Sequence, residues 1–452
     1  MQTRRLFGTS GIRGVVNQNL SPDFCRQVAS AIGTTLPPAS TVCIATDTRV
    51  SRDMIKEAVT ASLLSCGINV VDLGILPTPA LALLTRESGF AAGIMVTASH
   101  NPPEFNGIKL FTENSLGYSQ AQEAEIEKVY FEQKFRHGKK GTLEQAPDMK
   151  QRYLSFIKGK LSRPGFNHHL KVVVDPGNGA ASNFASDIFV QMGLDVIPVN
   201  DEPNGLFPGR SPEPKEDTLQ GTINFLRQHN ADLAICFDGD ADRVVFCDKE
   251  GFLGFNEPIA FISRLVVKKT GRKKIATTVE TGTLLDLAVK DLRVEVIKGR
   301  VGDVAVAHLA QELDAALGVE QVGVYIIPEA GYYPDSIFAS LFLLSQLSDA
   351  SEIRQFFHRM PRLFFEKAKV FCPDELKESV MAQVQEKTHL FAHDKVNTLD
   401  GLRLDFLDSW MLIRASGTEP VIRVISESTS QTQTKELISK GKELVQSLVE
   451  VS

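Results

Sequence analysis

A pattern of strand, polar turn, helix and returning strand recurs three times along the chain, and this repetition restricts the fold more than any other feature. Val42-Cys43-Ile44-Ala45 leads into Asp47-Thr48-Arg49, then a helical stretch from about Arg52 to Cys66, Gly67, and a second apolar run from Ile68 to Leu73. Lys171-Val172-Val173-Val174-Asp175 repeats it with the turn Pro176-Gly177-Asn178-Gly179, a helix over Ala181 to Met192, and a return at Leu194 to Val199. The third copy runs from Lys274 to Val279 through Glu280-Thr281-Gly282, a helix over Leu284 to Leu292, and Val294 to Ile297. Short apolar strands alternating with helices of this length build βαβ units, whose strands are covered on both faces. The expectation is three similar α/β domains with mixed, mostly parallel sheets.

The C-terminal part reads differently. Trp410 to Arg414 and Val421 to Ile425 look antiparallel around a Ser-Gly-Thr turn, and Ser428-Thr429-Ser430 offers N-cap residues for a closing helix over about Gln431 to Val449. Leu437, Ile438, Leu444, Val445 and Leu448 keep helical spacing there. This predicts a separate α+β domain, with boundaries expected at 1–148, 149–251, 252–362 and 363–452.

Composition narrows the function class. With 49 Lys+Arg against 55 Asp+Glu the formal charge is −6, the wrong balance for a protein that relies on nucleic-acid phosphates. No run approaches the roughly 18 apolar residues that cross a bilayer, and no apolar signal segment follows Met1 to Gly8, so a cytoplasmic protein without membrane partners is expected. The six cysteines, Cys25, Cys43, Cys66, Cys236, Cys247 and Cys372, lack zinc-type spacing and are expected as reduced, structural thiols.

Ligands of open α/β sheets bind beyond strand ends, so the residues just after the strands are the candidates for chemistry. Thr97-Ala98-Ser99-His100-Asn101-Pro102-Pro103 follows the apolar run Ala91 to Val96, with Lys109 a few positions on. A serine so placed can carry a phosphoryl group covalently, although these residues also make ordinary turns. Asp238-Gly239-Asp240-Ala241-Asp242-Arg243 follows Leu233 to Phe237, and three carboxylates at alternate positions suit a hard cation such as Mg²⁺. A calcium EF-hand fails because Arg243 and Lys249 stand where its Gly and bidentate Glu belong; a solvated acidic turn is the bland alternative. Arg414-Ala415-Ser416-Gly417-Thr418-Glu419-Pro420, with Arg423 beyond it, combines a guanidinium, hydroxyls and backbone N–H groups in a phosphate cradle or a polar hairpin. Phe7 to Gly14 holds three glycines around Arg13, which is either a ligand-closing loop or a flexible terminus.

Taken in order along the chain, from Phe7–Gly14 to Arg414–Pro420, the four segments resemble the α-D-phosphohexomutases, which include phosphoglucomutase, phosphomannomutase and phosphoglucosamine mutase. The resemblance covers essentially the whole chain and implies four domains arranged around a central cleft. It implies Ser99 as a phosphoserine that holds Mg²⁺ together with Asp238, Asp240 and Asp242. Arg13, Lys109, His100 and Arg243 fall beside the transferring phosphoryl group, while Arg414, Ser416, Gly417, Thr418 and Arg423 grip the substrate's other phosphate. A hexose 1-phosphate and a hexose 6-phosphate would interconvert through a bisphosphorylated sugar, with hexose 1,6-bisphosphate priming the serine. The start of the chain looks most like the phosphoglucosamine mutase and phosphomannomutase branches, and a monomer or homodimer is expected.

One segment departs from the family pattern. Where the family's sugar-reading loop carries Gly-Glu-x-Ser-Gly-His, this chain has Val319-Glu320-Gln321-Val322-Gly323-Val324, retaining only Glu320 and Gly323. Valines cannot make the hydrogen bonds of Ser and His, so hydroxyl recognition in this loop should be altered. A non-catalytic sugar-phosphate binder is therefore the competing reading. A hinge for the fourth domain is expected around Phe364 to Asp374.

Overall fold

The computed structural model describes residues 6–146, 148–161, 166, 170–417 and 419–451. The repeated unit is visible as one topology used three times. In the second domain the strands lie in the order Asp195–Pro198, Lys171–Asp175, Leu233–Phe237, Val244–Cys247; the first three are parallel and the last is antiparallel. The third domain repeats this order with Glu295–Gly299, Lys274–Thr278, Leu317–Glu320 and Val324–Ile326. The first domain holds the same arrangement in Asn69–Ile75, Thr41–Thr46, Ala92–Val96 and Phe105–Thr112, extended by Leu143–Gln145 at one edge and Ile12–Val15 at the other. The central strands Ala92–Val96 and Leu233–Phe237 are buried at every position, as expected where both sheet faces are covered. In each case the antiparallel fourth strand makes the loop before it a tight return, and these returns carry Ser99, Asp238 to Arg243, and Glu320 to Gly323.

The fourth domain is a five-stranded antiparallel sheet, ordered Phe364–Phe371, Val421–Ser428, Ser409–Ala415, Leu402–Phe406, Lys395–Asn397, with the helices Lys377–Glu386 and Gln431–Val451 packed on it. The hinge expected around Phe364 to Asp374 is corrected here. Phe364–Phe371 is the edge strand of this sheet, paired from Phe364 opposite Ser428 to Phe371 opposite Val421. Its alternating exposure leaves Lys367, Lys369 and Phe371 outward, so charges that read as a linker are those of a solvated strand face. The connection from the third domain is instead the short stretch 359–363, after the helix Glu352–His358. The second repeat's helix also begins later than the apolar spacing suggests, at Ala185, because Asn178 and Asn183 adopt left-handed turns before it.

The apolar core is shared unequally. One continuous cluster runs through the first three domains, joining Leu81 and Leu154 to Val172, Phe237, Ile262 and Phe338. The fourth domain has its own core, built from Val380, Leu404, Met411, Ile413, Val424 and Val445. The two meet through a small cluster in which Val279 of the third domain packs against Trp410, Leu412 and Ile425. All six cysteines are buried and free of disulfides, and among the described residues no helix is long and apolar enough to cross a membrane.

Candidate active site

The serine loop is held by a group that sequence reasoning passed over as part of a polar turn. Arg49, fully buried, is anchored through Nε to Asp47 Oδ2 at 3.0 Å. Its remaining nitrogens donate to the carbonyls of Ser99, Asn101, Pro102 and Phe105. A guanidinium has five donors in a fixed plane, and here nearly all are spent fixing one loop. Thr97 Oγ1 accepts from the Ser99 N–H at 2.9 Å and donates to Asp47 Oδ2 at 2.6 Å, completing the frame. Ser99 itself sits at φ 52°, a left-handed conformation that costs a side-chain-bearing residue about 1 kcal/mol and persists because its surroundings impose it. Its Oγ donates to Asp238 Oδ2 at 2.7 Å and lies 3.3 Å from His100 Nδ1.

The acidic return comes against this loop with no room to spare. A Cβ on Gly239 would stand 2.4 Å from the Ser99 carbonyl oxygen, so only glycine permits the approach. Oxygens of Asp238, Asp240 and Asp242 all lie within 4.8 Å of one another, and the three residues are buried. Thr78 fixes the middle of the loop, donating from Oγ1 to Asp240 Oδ2 at 2.6 Å and from its N–H to the Asp240 carbonyl. Lys109 Nζ bridges Asp240 Oδ2 at 2.8 Å and Asp242 Oδ2 at 2.5 Å. Burial opposes the Lys109 charge, but the two carboxylates outweigh it and hold the ammonium charged. Burial likewise pushes Asp242 up while Lys109 and Arg243 pull it further down, to about 2. For Asp238, burial and then Asp242 and Asp240 outweigh Arg243 and raise it well above the usual carboxylate range. Asp240 Oδ1 and Asp242 Oδ1 are buried without a hydrogen-bond partner. Three close carboxylates with two orphaned oxygens form a donor set that fits a hard divalent cation.

Arg13, His100 and Arg243 surround the same point. The amino-terminal strand Ile12–Val15 pairs with Phe105–Thr112, and Arg13 Nη1 donates to Asn101 Oδ1 at 3.0 Å. Burial, then Arg243, lowers the Arg13 value. Burial, then Arg243, Arg13 and Lys109, drives His100 down to about 2, so its imidazole is neutral at physiological pH. Arg243 Nε is 3.8 Å from Asp242 Oδ1 and has no hydrogen-bond partner.

The third domain supplies Glu320 and a residue left unassigned by the sequence, Asp303. Glu320 accepts from the Gly302 N–H at 3.0 Å, and burial, then Asp303, raises its carboxyl to about 7. Asp303 opens the helix Asp303–Glu312, accepts from Ser10 Oγ at 3.3 Å, and interacts electrostatically with Lys109, Asp242, Arg243 and Arg13. Val324 is buried and bridges Arg243, while Val322 packs on the cluster of Val306, Ala307 and Ile326. Both valines are thus committed to the domain's own packing, which explains how the loop keeps its shape without Ser and His.

In the fourth domain, Arg414 Nε and Nη2 donate to Glu280 Oε1, and Arg423 Nη2 donates to Glu419 Oε2 at 2.9 Å. Ser416 Oγ accepts from the Glu419 N–H, and Lys377 Nζ ties the carbonyls of Ser416 and Glu419 together. The space around Gly417 is open. Thr418 lies outside the described residues. The structure therefore brings Ser99, His100, Lys109, Arg13, Arg243 and the three aspartates to one point. Glu320 adjoins them, and the Arg414 loop connects to the third domain through Glu280.

Residues 4–137, 151–251, 256–363 and 369–440 match, in order, domains I, II and III and the C-terminal domain of phosphoglucomutase/phosphomannomutase. The chain belongs to the phosphoglucomutase/phosphomannomutase family. Within the family it is 38% identical over 450 residues to the probable phosphoglucosamine mutase of Thermococcus gammatolerans, covering 98% of this chain and 99% of that one. It is 37% identical over 447 residues to the phosphoglucosamine mutase of Methanocaldococcus jannaschii, covering 98% of each. Its fold is similar to that of a phosphoglucomutase/phosphomannomutase family protein from Burkholderia thailandensis, with a TM-score of 0.87 at 26% identity over 99% of this chain and 98% of the other.

Proposed function

We propose that the chain is a phosphohexomutase of cytoplasmic sugar-phosphate metabolism, acting on glucosamine phosphates. The observation that carries this reading is the placement of Ser99 Oγ 2.7 Å from Asp238, with Lys109 on the two neighbouring aspartates, all buried at the meeting of two domains. A binder needs no nucleophile at such a point. The expected division at residues 148, 251 and 362 would give each domain one of the four working loops.

Phosphorylated Ser99 would give its phosphoryl group to a free hydroxyl of the bound monophosphate: the Ser Oγ–P bond breaks, a sugar O–P bond forms, and the hydroxyl proton ends on Ser99 Oγ. The bisphosphorylated sugar would turn around and return its other phosphoryl group to Ser99. Asp238, Asp240, Asp242 and the Ser99 phosphate would hold Mg²⁺, which when bound neutralises charge on the transferring oxygens. Arg13, Arg243 and Lys109 add fixed positive charge where the equatorial oxygens pass. His100, neutral, places Nδ1 3.3 Å from Ser99 Oγ, where it would orient the serine rather than take up a proton. Arg414, Ser416, Gly417, Thr418 and Arg423 would hold the non-reacting phosphate, and Glu320 a sugar hydroxyl.

The test is intact mass with phosphopeptide mapping after charging with glucose 1,6-bisphosphate and Mg²⁺, followed by separate exposure to glucosamine, glucose and mannose monophosphates. Phosphate on Ser99 that glucosamine monophosphate discharges is the expected result. A Ser99 that never takes up phosphate returns the chain to the non-catalytic sugar-phosphate-binding reading.

A further inference from the structure

Glu280 follows the third-domain strand Lys274–Thr278, and its carboxylate crosses to the fourth domain, where Oε1 accepts from Arg414 Nε at 3.1 Å and Nη2 at 2.8 Å. Arg414 faces Arg423 across the sheet, and Arg423 faces Lys369, with Lys367 two residues further along the edge strand. Residues directly opposite on paired strands share a face, so this is a cationic face, on which Glu419 pairs with Lys369 and Arg423 and Glu280 pairs with Arg414. Glu280 occupies the guanidinium fork as a phosphate would.

Arg414 Nη1 lies 3.7 Å from Asp400 Oδ2, and a substrate phosphate that takes the Nε–Nη2 edge displaces the Glu280 carboxylate, whose backbone is held in place. Arg403 Nη1 donates to the carbonyls of Val279 at 2.6 Å and Thr281 at 2.9 Å, clamping the backbone on both sides of Glu280. The freed anion would stand beside the phosphate and close to Glu320, whose carboxyl is raised partly by Glu280. Two anions side by side are unfavourable unless a cation joins them. Lys367 Nζ, at 3.9 Å from Glu280 Oε2, is beyond hydrogen-bond reach.

We propose that Glu280 is a specificity-determining residue that selects a hexose 1-phosphate carrying a protonated amino group on the adjacent carbon, the ammonium replacing the Arg414 guanidinium as its partner. A neutral hexose phosphate, or one whose nitrogen is acylated, leaves the displaced carboxylate only the long ion pair with Lys367. The inference rests on the mutase reading for the position of the phosphate.

The experiment measures binding of glucosamine 1-phosphate, glucose 1-phosphate and N-acetylglucosamine 1-phosphate by titration calorimetry, in a Ser99→Ala background that prevents turnover, with and without Glu280→Gln. The amide keeps an acceptor for Arg414 and loses the charge. The expected result is that the preference for glucosamine 1-phosphate over the two neutral sugars falls at least tenfold, while glucose 1-phosphate binds as well or better. Glu280→Asp should retain part of the preference. A preference unchanged within twofold overturns the proposal. So does a parallel loss for all three ligands, which would make Glu280 a strut between domains with Lys367 as its alternative partner. Binding is read without phosphoryl transfer, so a Glu280-dependent preference in a chain whose Ser99 is never phosphorylated would sink the mutase reading alone.

Discussion

Gly239 and Ser99 are in backbone contact across two domains: a methyl group on the glycine would lie 2.4 Å from the serine's carbonyl oxygen. The acidic return and the serine loop are therefore one assembly, although 139 residues separate the Asp238 and Ser99 side chains that bond within it.

Gly239→Ala should push the two loops apart. Overpacking of this kind costs about 1–3 kcal/mol, and the larger effect should fall on Ser99–Asp238 geometry. We expect thermal unfolding a few degrees lower and phosphorylation of Ser99 slowed by about 100-fold, read by intact mass against time. A variant phosphorylated at the parent rate would mean that the contact is incidental.

Arg49→Met removes one partner of a buried pair, taking the counter-charge from Asp47 and leaving several carbonyls of the serine loop unsatisfied. Breaking such a pair costs about 3–5 kcal/mol. Urea unfolding should show this loss, and Arg49→Lys should recover only a small part of it because an ammonium cannot span the four carbonyls.

Lys109 competes for the same carboxylate oxygens that suit a cation. Lys109→Met should therefore bind Mg²⁺ about tenfold more tightly in the unphosphorylated protein, consistent with removing one neighbouring positive charge, while losing turnover. Asp242→Asn should abolish Mg²⁺ binding and turnover together, as chelation does in the unaltered protein. Calorimetric titration with Mg²⁺ checks both variants.

Asp335 offers a pH test away from the reaction centre. It is buried, accepts from Tyr153 Oη at 2.7 Å and the Phe338 N–H at 2.9 Å, and its Oδ2 has no partner. Burial raises its carboxyl from 3.8 to about 6. Between those values the folded state binds a proton that the unfolded chain has released, so the contribution to stability is full at low pH and lost as pH rises through the window. Asp335→Asn should flatten the stability profile between about pH 4 and 6 relative to the parent, in equilibrium unfolding, by at most about 3 kcal/mol. Parallel parent and variant profiles would count against this assignment.

The repeats and the four strand-end loops were legible because each is contiguous: an apolar run followed by residues that do nothing for a core. What was not legible acts across the chain. Arg49 reads as turn chemistry until Ser99 is placed beside it, and Thr78 reads as a helix start until Asp240 arrives from 162 residues away. Arg300-Val301-Gly302-Asp303 resembles a third-domain loop of the family that faces the substrate, and Glu280 follows a strand, yet neither residue shows a partner in the sequence. The strand Phe364–Phe371 was misread as a linker because its outward face carries lysines, and an edge strand needs only one apolar side. Val322 and Val324 stand out in the sequence as side chains without a hydrogen-bonding group, but their packing among Val306, Ala307 and Ile326 could not be inferred from the loop itself.

The separate core of the fourth domain has a consequence for how this molecule can vary. The first three domains are tied by one apolar cluster that runs from Leu81 through Phe237 to Phe338, so a substitution along it is felt near the serine. The fourth, joined by a small apolar patch around Trp410 and by polar ties such as Arg403 to the Val279 carbonyl and Arg414 to Glu280, can acquire new side chains as a module of its own. Ligand preference can then drift while the covalent chemistry stays fixed.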